Sequence, residues 1–251
     1  MSYKIGILIP STTKGLNCKS YKDTYLYKLF LKSFIKSYDK KYGEKDLIYT
    51  IYVIVDDDDE IYSNNSEKNK IISFVNLVKN VSIQFISSNG ISKGWVTKMW
   101  NKAFKKAYDD GCDYFYQCGD DIEFLDKEWT IDCIKAMEIH NNTGITGPID
   151  WGREQYKIAN GRGKFILTQT FVSRKHMEIF GFYFPEEIKN WFCDDWITYV
   201  YISKKKYWPI QKRILNKGGE PRYEPDGKGE DFQRMTEKCM KLIHKYNKLI
   251  Q

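Results

Sequence analysis

The sequence predicts an α/β fold with a mostly parallel central sheet covered by helices on both faces. Two observations support this prediction. Short runs of apolar and β-branched residues alternate with segments of helical periodicity, and several of these runs stop abruptly at proline, glycine or aspartate. The 251 residues are 42% hydrophobic and 29% charged, which fits one substantial domain and excludes extensive disorder. No apolar run approaches the ~20 residues that a membrane-spanning helix requires.

The alternation is clearest in the first half of the chain. Residues 4–9 read K-I-G-I-L-I before Pro10, which is typical of a strand buried on both faces. Further strands are predicted at residues 48–55, 81–86 and 112–118, and helices at residues 25–38, 66–78 and 94–108. Strands that are separated by helices in this rhythm form parallel pairs.

The second half is less regular. Helices are predicted at residues 129–139, 174–180 and 192–202, and strands at residues 144–148 and 164–172. The Gly- and Pro-rich residues 217–229 predict a mobile loop, and an amphipathic basic helix follows over residues 230–249. No linker separates a second domain, so we expect residues 217–251 to pack on the domain formed by residues 1–216.

The excess positive charge is concentrated near the end of the chain. The net charge is +7, and residues 203–251 hold 13 Lys and Arg against 6 Asp and Glu. Such a segment could contact nucleic acid, an anionic membrane surface or a phosphorylated ligand, or it could be a solvated helix. The six cysteines include no C-x-x-C pair, which predicts reduced thiols and a cytoplasmic protein. The Lys-, Asn- and Ile-rich composition suggests an AT-rich genome, either of a bacterium or of a large DNA virus. A viral protein would act in the host cytoplasm.

Clustered aspartates mark the candidate site. The run of four at residues 56–59 and the pair Asp120 and Asp121 follow predicted strands directly, while Asp194 and Asp195 lie on a later element. Ligands of open parallel sheets bind beyond the carboxyl ends of the strands, and a hard divalent cation relieves the repulsion between packed carboxylates. Together the clusters favour a metal site. Taken singly, the run at residues 56–59 also fits a solvated loop, and the other two pairs fit helix caps.

Several short motifs follow one another in a set order. P-S-T follows the first predicted strand, V-D-D follows the second, N-G-x-x-x-G precedes a helix, and G-D-D-I follows the next strand. F-V-S-R at residues 171–174 and G-F at residues 181–182 then precede C-D-D at residues 193–195. This order resembles the GT-A nucleotide-sugar glycosyltransferases, in particular their inverting, family-2-like branch, over roughly residues 3–210.

The resemblance implies a GT-A (Rossmann-like) domain over residues 1–216, with a nucleotide-binding half at residues 1–125 and an acceptor half at residues 126–216. It implies a nucleoside-diphosphate sugar as donor, with uridine as the favoured base, and Mn²⁺ or Mg²⁺ as cofactor. The acceptor would be a hydroxyl of a glycan, a protein or a small molecule. Pro10, Ser11 and Thr12 would border the base and ribose. Asp57, or Asp56 in the alternative register, would accept a hydrogen bond from the pyrimidine.

The remaining roles follow from the same resemblance. Asp120 would contact the ribose, and Asp121 would hold the metal that bridges the diphosphate. Asp195 would be the general base that takes a proton from the acceptor hydroxyl, with Asp194 as the alternative. Lys93 and Lys98 are candidates for contact with the diphosphate, although both also fit surface lysines. Apart from the resemblance, composition and position make Arg222 a third candidate, because the Gly-rich segment at residues 217–229 could close over the donor and bring Arg222 to a phosphate.

The sequence departs from the family pattern in two places. Many relatives use a late histidine as a third metal ligand, but none of the three histidines, His140, His176 and His244, is in a convincing position. Trp100 stands before Asn101 where relatives carry arginine. Three tryptophans could be sugar platforms or core residues: Trp151, Trp191 and Trp196.

Two other classes of protein compete with the transferase. A nucleotidyltransferase would need a glycine-rich, basic loop after the first strand, but residues 11–16 supply only Lys14 and Gly15. A non-catalytic protein could bind nucleotide, or bind nucleic acid through the basic C-terminal region, with an affinity that falls steeply with salt. The motif order favours the transferase and makes nucleic acid the weaker partner. The sequence leaves a homo-oligomer open.

Overall fold

A mixed β-sheet forms the centre of the protein, of which the computed structural model describes residues 2–152, 166–218, 222 and 231–251. The strands within these residues are β1 (Ser2–Ser11), β2 (Lys41–Tyr42), β3 (Lys45–Val55), β4 (Val81–Ser87), β5 (Tyr114–Gln117), β6 (Ile122–Phe124), β7 (Ile145–Asp150), β8 (Thr170–Ser173) and β9 (Tyr207–Asn216). They lie in the order β2-β3-β1-β5-β8-β7-β9-β6, and β4 also pairs with β3.

The first half of the sheet is parallel, as the sequence predicts, except for the two-residue strand β2, which runs antiparallel to β3. β1 pairs in parallel with β3 and β5, and β3 pairs in parallel with β4. In the second half β8 runs antiparallel to β5 and β7, β6 runs antiparallel to β9, and only β7 and β9 are parallel among the described pairs. The prediction of a mostly parallel sheet is therefore wrong for this half. A strand buried on both faces, such as β8, is apolar in either direction, so its residue pattern does not reveal which way it runs.

Helices cover both faces of the sheet. Those described are α1 (Lys32–Ser37), preceded by a π-helical turn at Leu26–Leu31, α2 (Asn65–Asn76), α3 (Val96–Asp109), α4 (Trp129–Ile139), α5 (Arg174–Phe180), α6 (Cys193–Ile202) and α7 (Asp231–Tyr246). Successive residues of β1 point to opposite faces. Ile7 packs with α1 and α4 in one core cluster, and Leu8 packs with α3 and α6 in the other.

The C-terminal helix packs on the same body as the sheet. One face of α7 is buried through Met235, Cys239, Leu242 and Ile243, and the helix contacts α6. The predicted mobile loop at residues 217–229 lies mostly outside the described residues. In the part of the chain that the structure describes, every helix is too short or too polar to cross a bilayer.

Sequence reasoning missed β2, β6 and β9. β9 reads Y-W-P-I-Q-K-R-I-L-N, and its proline and two cations interrupt both the apolar run and the alternation that would mark a strand. Its place is set by its neighbours β7 and β6, with a register shift between Gly147 and Ile149. The predicted strand at residues 164–172 is also shorter than expected, since only β8 forms there and residues 164–165 lie outside the description. β9 matters for function because its last residue, Asn216, lines the candidate site.

Candidate functional site

The candidate site lies where three parallel strands end. β1 and β3 end together, because Ser11 is the register partner of Val55. β5 ends beside them, because Gln117 is the register partner of Leu8. The loops that follow these strands therefore converge at the carboxyl edge of the sheet, where open parallel sheets bind ligands.

A cavity of about 480 Å³ opens at this edge. Pro10 and Asp121 line it from the ends of β1 and β5, Arg222 lines it from the segment after β9, and Asp194 and Asp195 line it from the start of α6. Its volume is in the range of small-molecule sites. The cavity thus brings together five residues that the sequence selected from four separate segments.

Asp120 precedes the cavity-lining Asp121 and is buried more deeply than it. Its side chain is 1% exposed, and it accepts a hydrogen bond from the Ser11 hydroxyl at 2.6 Å. The Ser11 hydroxyl is also 2.8 Å from that of Tyr62, on the loop after β3. Asp120 therefore joins the loops after β1, β3 and β5, in addition to the ribose contact that the resemblance implies.

Arg222 supplies the cation for this carboxylate. Its guanidinium donates to both carboxylate oxygens of Asp120 and to the Thr12 carbonyl oxygen at 2.7 Å. It lies 3.7 Å from an oxygen of Asp121 and over the Tyr25 ring, 5.0 Å from its centroid. Burial lowers the pKa of Arg222, but the two aspartates raise it above its ordinary value. The guanidinium is therefore a fixed positive charge beside the end of β1.

Asp121 faces the cavity in a less favourable environment. Burial, and then the neighbouring charge of Asp120, raise the pKa of Asp121 to about 6, against the opposing effect of Arg222. The chain approaches it closely: a Cβ atom at Gly218 would overlap the Asp121 carboxylate, and the Lys217 N–H donates to the Asp121 carbonyl at 2.9 Å. Asp121 is thus a carboxylate that a cation would stabilise.

The four aspartates after β3 have separate environments. Asp59 is fully buried and accepts from the backbone N–H groups of Thr13 at 2.6 Å and Tyr62 at 3.0 Å, so it ties two loops together. Asp56 is buried and accepts from the Ser88 hydroxyl at 3.0 Å. Asp57, the first choice for the pyrimidine contact, is exposed.

The two lysines proposed for the diphosphate lie elsewhere. Lys93 Nζ is 2.7 Å from Asp58, and the donors Lys14 and Lys93 lower the pKa of Asp58 to about 2. Lys98 Nζ is 3.4 Å from Glu186 and lies over the Trp95 ring. Neither Lys93 nor Lys98 is among the described residues that line the cavity, whereas Arg222 is.

Asp194 and Asp195 occupy the first turn of α6. The residue before this helix, Phe192, has a positive φ of 71°, which turns the chain sharply at the cavity. The Asp195 N–H lies 3.2 Å from an Asp194 carboxylate oxygen. Both aspartates line the same cavity as Asp121.

The aromatic candidates divide by exposure. Trp196 is fully buried in the core, so it cannot stack on a sugar. Trp191 is 37% exposed and lines the cavity, and Trp151 is 46% exposed beside Arg213. Trp100, which stands where relatives have arginine, lines the cavity and donates from Nε1 to the Cys118 carbonyl at 3.2 Å.

His176 and His140 make packing and hydrogen-bonding contacts within the fold. His176 is fully buried between the Tyr201 hydroxyl and the Tyr183 carbonyl, and burial lowers the pKa of His176 to about 4. His140 stacks on Trp208. Among the described residues, no three His, Cys, Asp or Glu side chains are grouped to hold a metal ion.

Sequence reasoning overlooked Asp150, Asn216 and Phe232. Asp150 ends β7, is buried, and accepts from the Asn216 N–H at 3.4 Å; its charge also raises the pKa of Asp121. Asn216 and Phe232 line the cavity. An aspartate at the end of a predicted strand was an available signal for Asp150. The place of Asn216 could not be predicted because β9 was not recognised as a strand, and the place of Phe232 depends on how α7 packs.

The oxygen ligands at the site match the preference of Mn²⁺ or Mg²⁺. Asp121 has an elevated pKa and is therefore a carboxylate that gains from a nearby cation. The chain would supply this one carboxylate directly, and phosphate oxygens and water would complete the shell. The residues therefore fit a metal that arrives with a diphosphate rather than one held by a preformed protein cage.

Solved structures with a similar fold include S. aureus TarS, a glycosyltransferase. TarS 1-349 in complex with UDP gives a TM-score of 0.55 at 16% identity, covering 96% of this chain and 64% of that one. A second structure of TarS 1-349 gives 0.54 at 17% identity with the same coverage, and a structure of TarS gives 0.56 at 15% identity, covering 96% of this chain and 39% of that one. This chain therefore spans less than two thirds of these neighbours, and the likeness shows the fold that it shares with TarS. No protein-family model and no curated protein matches the sequence.

Proposed function

We propose that this chain is a glycosyltransferase that moves a sugar from a nucleoside-diphosphate sugar, preferably a UDP-sugar, to an acceptor hydroxyl. The observation that carries the proposal is that Asp121, Asp194 and Asp195 line one cavity at the carboxyl edge of the sheet. The fold of TarS, which has been solved in complex with UDP, adds support.

The donor would lie across the ends of β1, β3 and β5. Pro10, Ser11 and Thr12 would border the base and ribose, with Asp56 as the pyrimidine acceptor. Asp56 is preferred to Asp57 because it is buried at the end of β3, whereas Asp57 is exposed. Arg222 would provide positive charge for the diphosphate, since its guanidinium already lies beside Thr12 and within 3.7 Å of Asp121.

The chemical step would use aspartates from two separate segments of the sequence. When bound, Mn²⁺ or Mg²⁺ would be held by Asp121 and would offset charge on the departing diphosphate. Asp195 would accept the proton of the acceptor hydroxyl as its oxygen attacks the anomeric carbon, which inverts the configuration. Asp194, one residue earlier in the same helical turn, is the alternative base.

Calorimetric titration with UDP, with and without MnCl₂, tests the donor half of the proposal. We expect Mn²⁺ to tighten UDP binding, and Asp121→Asn to remove this gain, about tenfold or more in affinity. Asp126→Asn is the matched control, because Asp126 is a nearby carboxylate that pairs with Arg213 at 2.9 Å. Absence of UDP binding, or an unchanged Mn²⁺ effect in Asp121→Asn, would overturn the proposal.

Release of UDP from a panel of UDP-sugars tests the chemical half. Asp195→Asn should lower turnover about 100-fold or more, because a positioned general base contributes that much, while UDP still binds. If Asp194→Asn alone has this effect, the base is Asp194. Release of pyrophosphate from nucleoside triphosphates, without UDP release, would indicate a nucleotidyltransferase instead.

A further inference from the structure

Strand β4 forms an open edge of the sheet. Among the described strands it pairs only with β3, and its outer side faces none of them. Its sequence, V-S-I-Q-F-I-S, contains no charged residue and no proline over seven residues. Proteins usually protect an exposed edge with charge, with proline or by keeping the strand very short. The opposite edge follows this rule, because β6 has three residues and its Glu123 pairs with Lys217 at 2.5 Å.

The backbone hydrogen bonds show which groups of β4 point outward. The Asn80 carbonyl accepts from a β3 N–H at 2.8 Å, and the Ser88 N–H donates to a β3 carbonyl at 2.8 Å. Even-numbered residues of the strand therefore bond to β3, and odd-numbered residues direct their N–H and C=O groups away from it. Ile83 and Phe85 thus present both backbone groups outward, with no partner among the described residues.

At the two ends of β4, some outward groups are already bonded. The Val81 N–H donates to a carbonyl of the preceding turn at 3.3 Å. The Ser87 carbonyl accepts from Lys102 Nζ at 2.7 Å. The groups that stay open on this edge are therefore the Val81 carbonyl, the Ser87 N–H, and both backbone groups of Ile83 and Phe85.

This pattern of open and bonded groups is self-complementary about Gln84. In an antiparallel pair centred on Gln84, Ile83 lies opposite the partner's Phe85, and the two residues exchange both backbone bonds. The Ser87 N–H meets the partner's Val81 carbonyl, so every open group gains a mate. The groups left facing each other, the Val81 N–H and the partner's Ser87 carbonyl, are the ones already bonded. Moving the centre to Ile83 or Phe85 leaves an open group opposite one that is already bonded.

We propose that two copies of this chain form a twofold dimer through β4, with Gln84 at the axis. The strand carries no charge, so the two copies do not repel each other along it. Beside the strand, Ile48 is 36% exposed in a hollow of about 320 Å³ that the partner strand borders. Because the copies run antiparallel, their cavities at the carboxyl edges open at opposite ends of the joined sheet. The dimer does not depend on the proposed transferase function.

Sedimentation velocity of the full chain at up to about 100 µM tests the dimer. The wild type should sediment as a dimer. Gln84→Lys should weaken self-association about tenfold or more, because two lysines then meet across the axis. Asp110 does not offset the new charge, since it already pairs with Lys106 at 2.5 Å. Gln211→Lys is the matched control, because it makes the same change at an exposed residue of β9 and should leave the dimer intact.

Oxidative cross-linking tests the register. Opposite residues of a non-hydrogen-bonded antiparallel pair have Cβ atoms about 4.5–5.5 Å apart, so Gln84→Cys should form a disulfide between copies on a non-reducing gel. Ser82→Cys is the control, because Ser82 lies opposite the partner's Ile86 and the two Ser82 positions are about 13 Å apart along the strands. The wild type, with its six native cysteines, sets the background.

Urea unfolding shows whether Gln84→Lys, which loses the hydrogen bond between the Gln84 amide and Asp110, still folds. If it does not fold, the cross-linking of Gln84→Cys decides the question. The dimer is refuted if the wild type is monomeric at every concentration or forms open-ended polymers. It is also refuted if folded Gln84→Lys associates like the wild type, or if Ser82→Cys cross-links as well as Gln84→Cys.

Discussion

Replacing Asp121 by asparagine should stabilise the metal-free protein. The raised pKa of Asp121, about 6 against an ordinary 3.8, means that the folded chain holds the ionised carboxylate at a cost. At 1.36 kcal/mol per pKa unit, the cost above pH 6 is about 3 kcal/mol. Asparagine has nearly the same shape and carries no charge. The free energy of unfolding of Asp121→Asn at pH 8 should therefore exceed that of the wild type by up to about 3 kcal/mol.

The sign of the pH dependence follows from the raised pKa. Below about pH 4 the carboxyl is protonated in both folded and unfolded chains, and its contribution to stability is fully retained. As the pH rises through 6, the Asp121 carboxyl ionises more readily in the unfolded chain than in the folded chain, so its contribution to stability is lost. The wild type should thus lose stability relative to Asp121→Asn between about pH 4 and 6, and the two proteins should be nearly equal at pH 4.

Urea unfolding in EDTA at pH 4, 5, 6 and 8 measures this difference. Asp57→Asn is the control, because Asp57 is exposed, and a surface substitution of this kind changes stability by less than about 0.5 kcal/mol. Adding Mn²⁺ and UDP should narrow the difference between the two proteins at pH 8, because the wild type gains more binding energy than the variant. If Asp121→Asn is less stable than the wild type at pH 8 in EDTA, the carboxylate is not held at a cost and the argument fails.

Three further changes test the surroundings of the site by urea unfolding. Arg222→Met should lower the free energy of unfolding by about 3 kcal/mol or more, because it leaves the 1%-exposed Asp120 without its cation. Adding Asp120→Asn to this variant should recover part of the lost stability, and no recovery would refute the pairing. Asp59→Ala should cost about 3 kcal/mol, since it strands buried backbone N–H groups in two loops, and a change below 1 kcal/mol would contradict that role. The pKa of His176 is lowered to about 4, so the neutral ring contributes to stability above pH 6.5, and this contribution is lost as the pH falls towards 4. The free energy of unfolding of His176→Gln should therefore vary less with pH in that range. An unchanged pH profile would refute the burial of His176 as a neutral ring.

Local pattern was enough to predict which residues meet where β1 and β5 end. Ser11 and Asp120 both follow short apolar strands, and parallel pairing of those strands brings their carboxyl ends together. Their 2.6 Å contact joins residues 109 apart in sequence, yet it follows from strand order alone. Arg222 was selected only by charge and by its place in a loop. The structure sets it beside Asp120, 102 residues away, which no periodicity could indicate.

The side of the cavity formed by Asn216, Trp191 and Phe232 was less predictable, because packing rather than strand order assembles it. β9 lacks a strand pattern, so Asn216 could not be assigned to the edge of the sheet. Phe232 belongs to an amphipathic helix, and such a pattern gives the buried face but not the neighbour that the helix packs on. The same limit applied to the tryptophans: Trp191 and Trp196 lie five residues apart, and only the packing of α6 makes one a cavity residue and the other a core residue.

The pair Asp120 and Asp121 shows how one fold gives two identical side chains different environments. Asp120 accepts hydrogen bonds from the Ser11 hydroxyl and the Arg222 guanidinium, and its side chain is 1% exposed. Asp121 lies one residue on, has 18% of its side chain exposed, and faces the cavity with its pKa raised. Different environments of this kind give paired carboxylates different pKa values. Arg222 contacts both residues, so a metal cation that binds Asp121 must lie near the positive guanidinium of Arg222. Mn²⁺ should therefore bind the protein weakly alone and more tightly with UDP, whose phosphates can engage Arg222 as well as the metal.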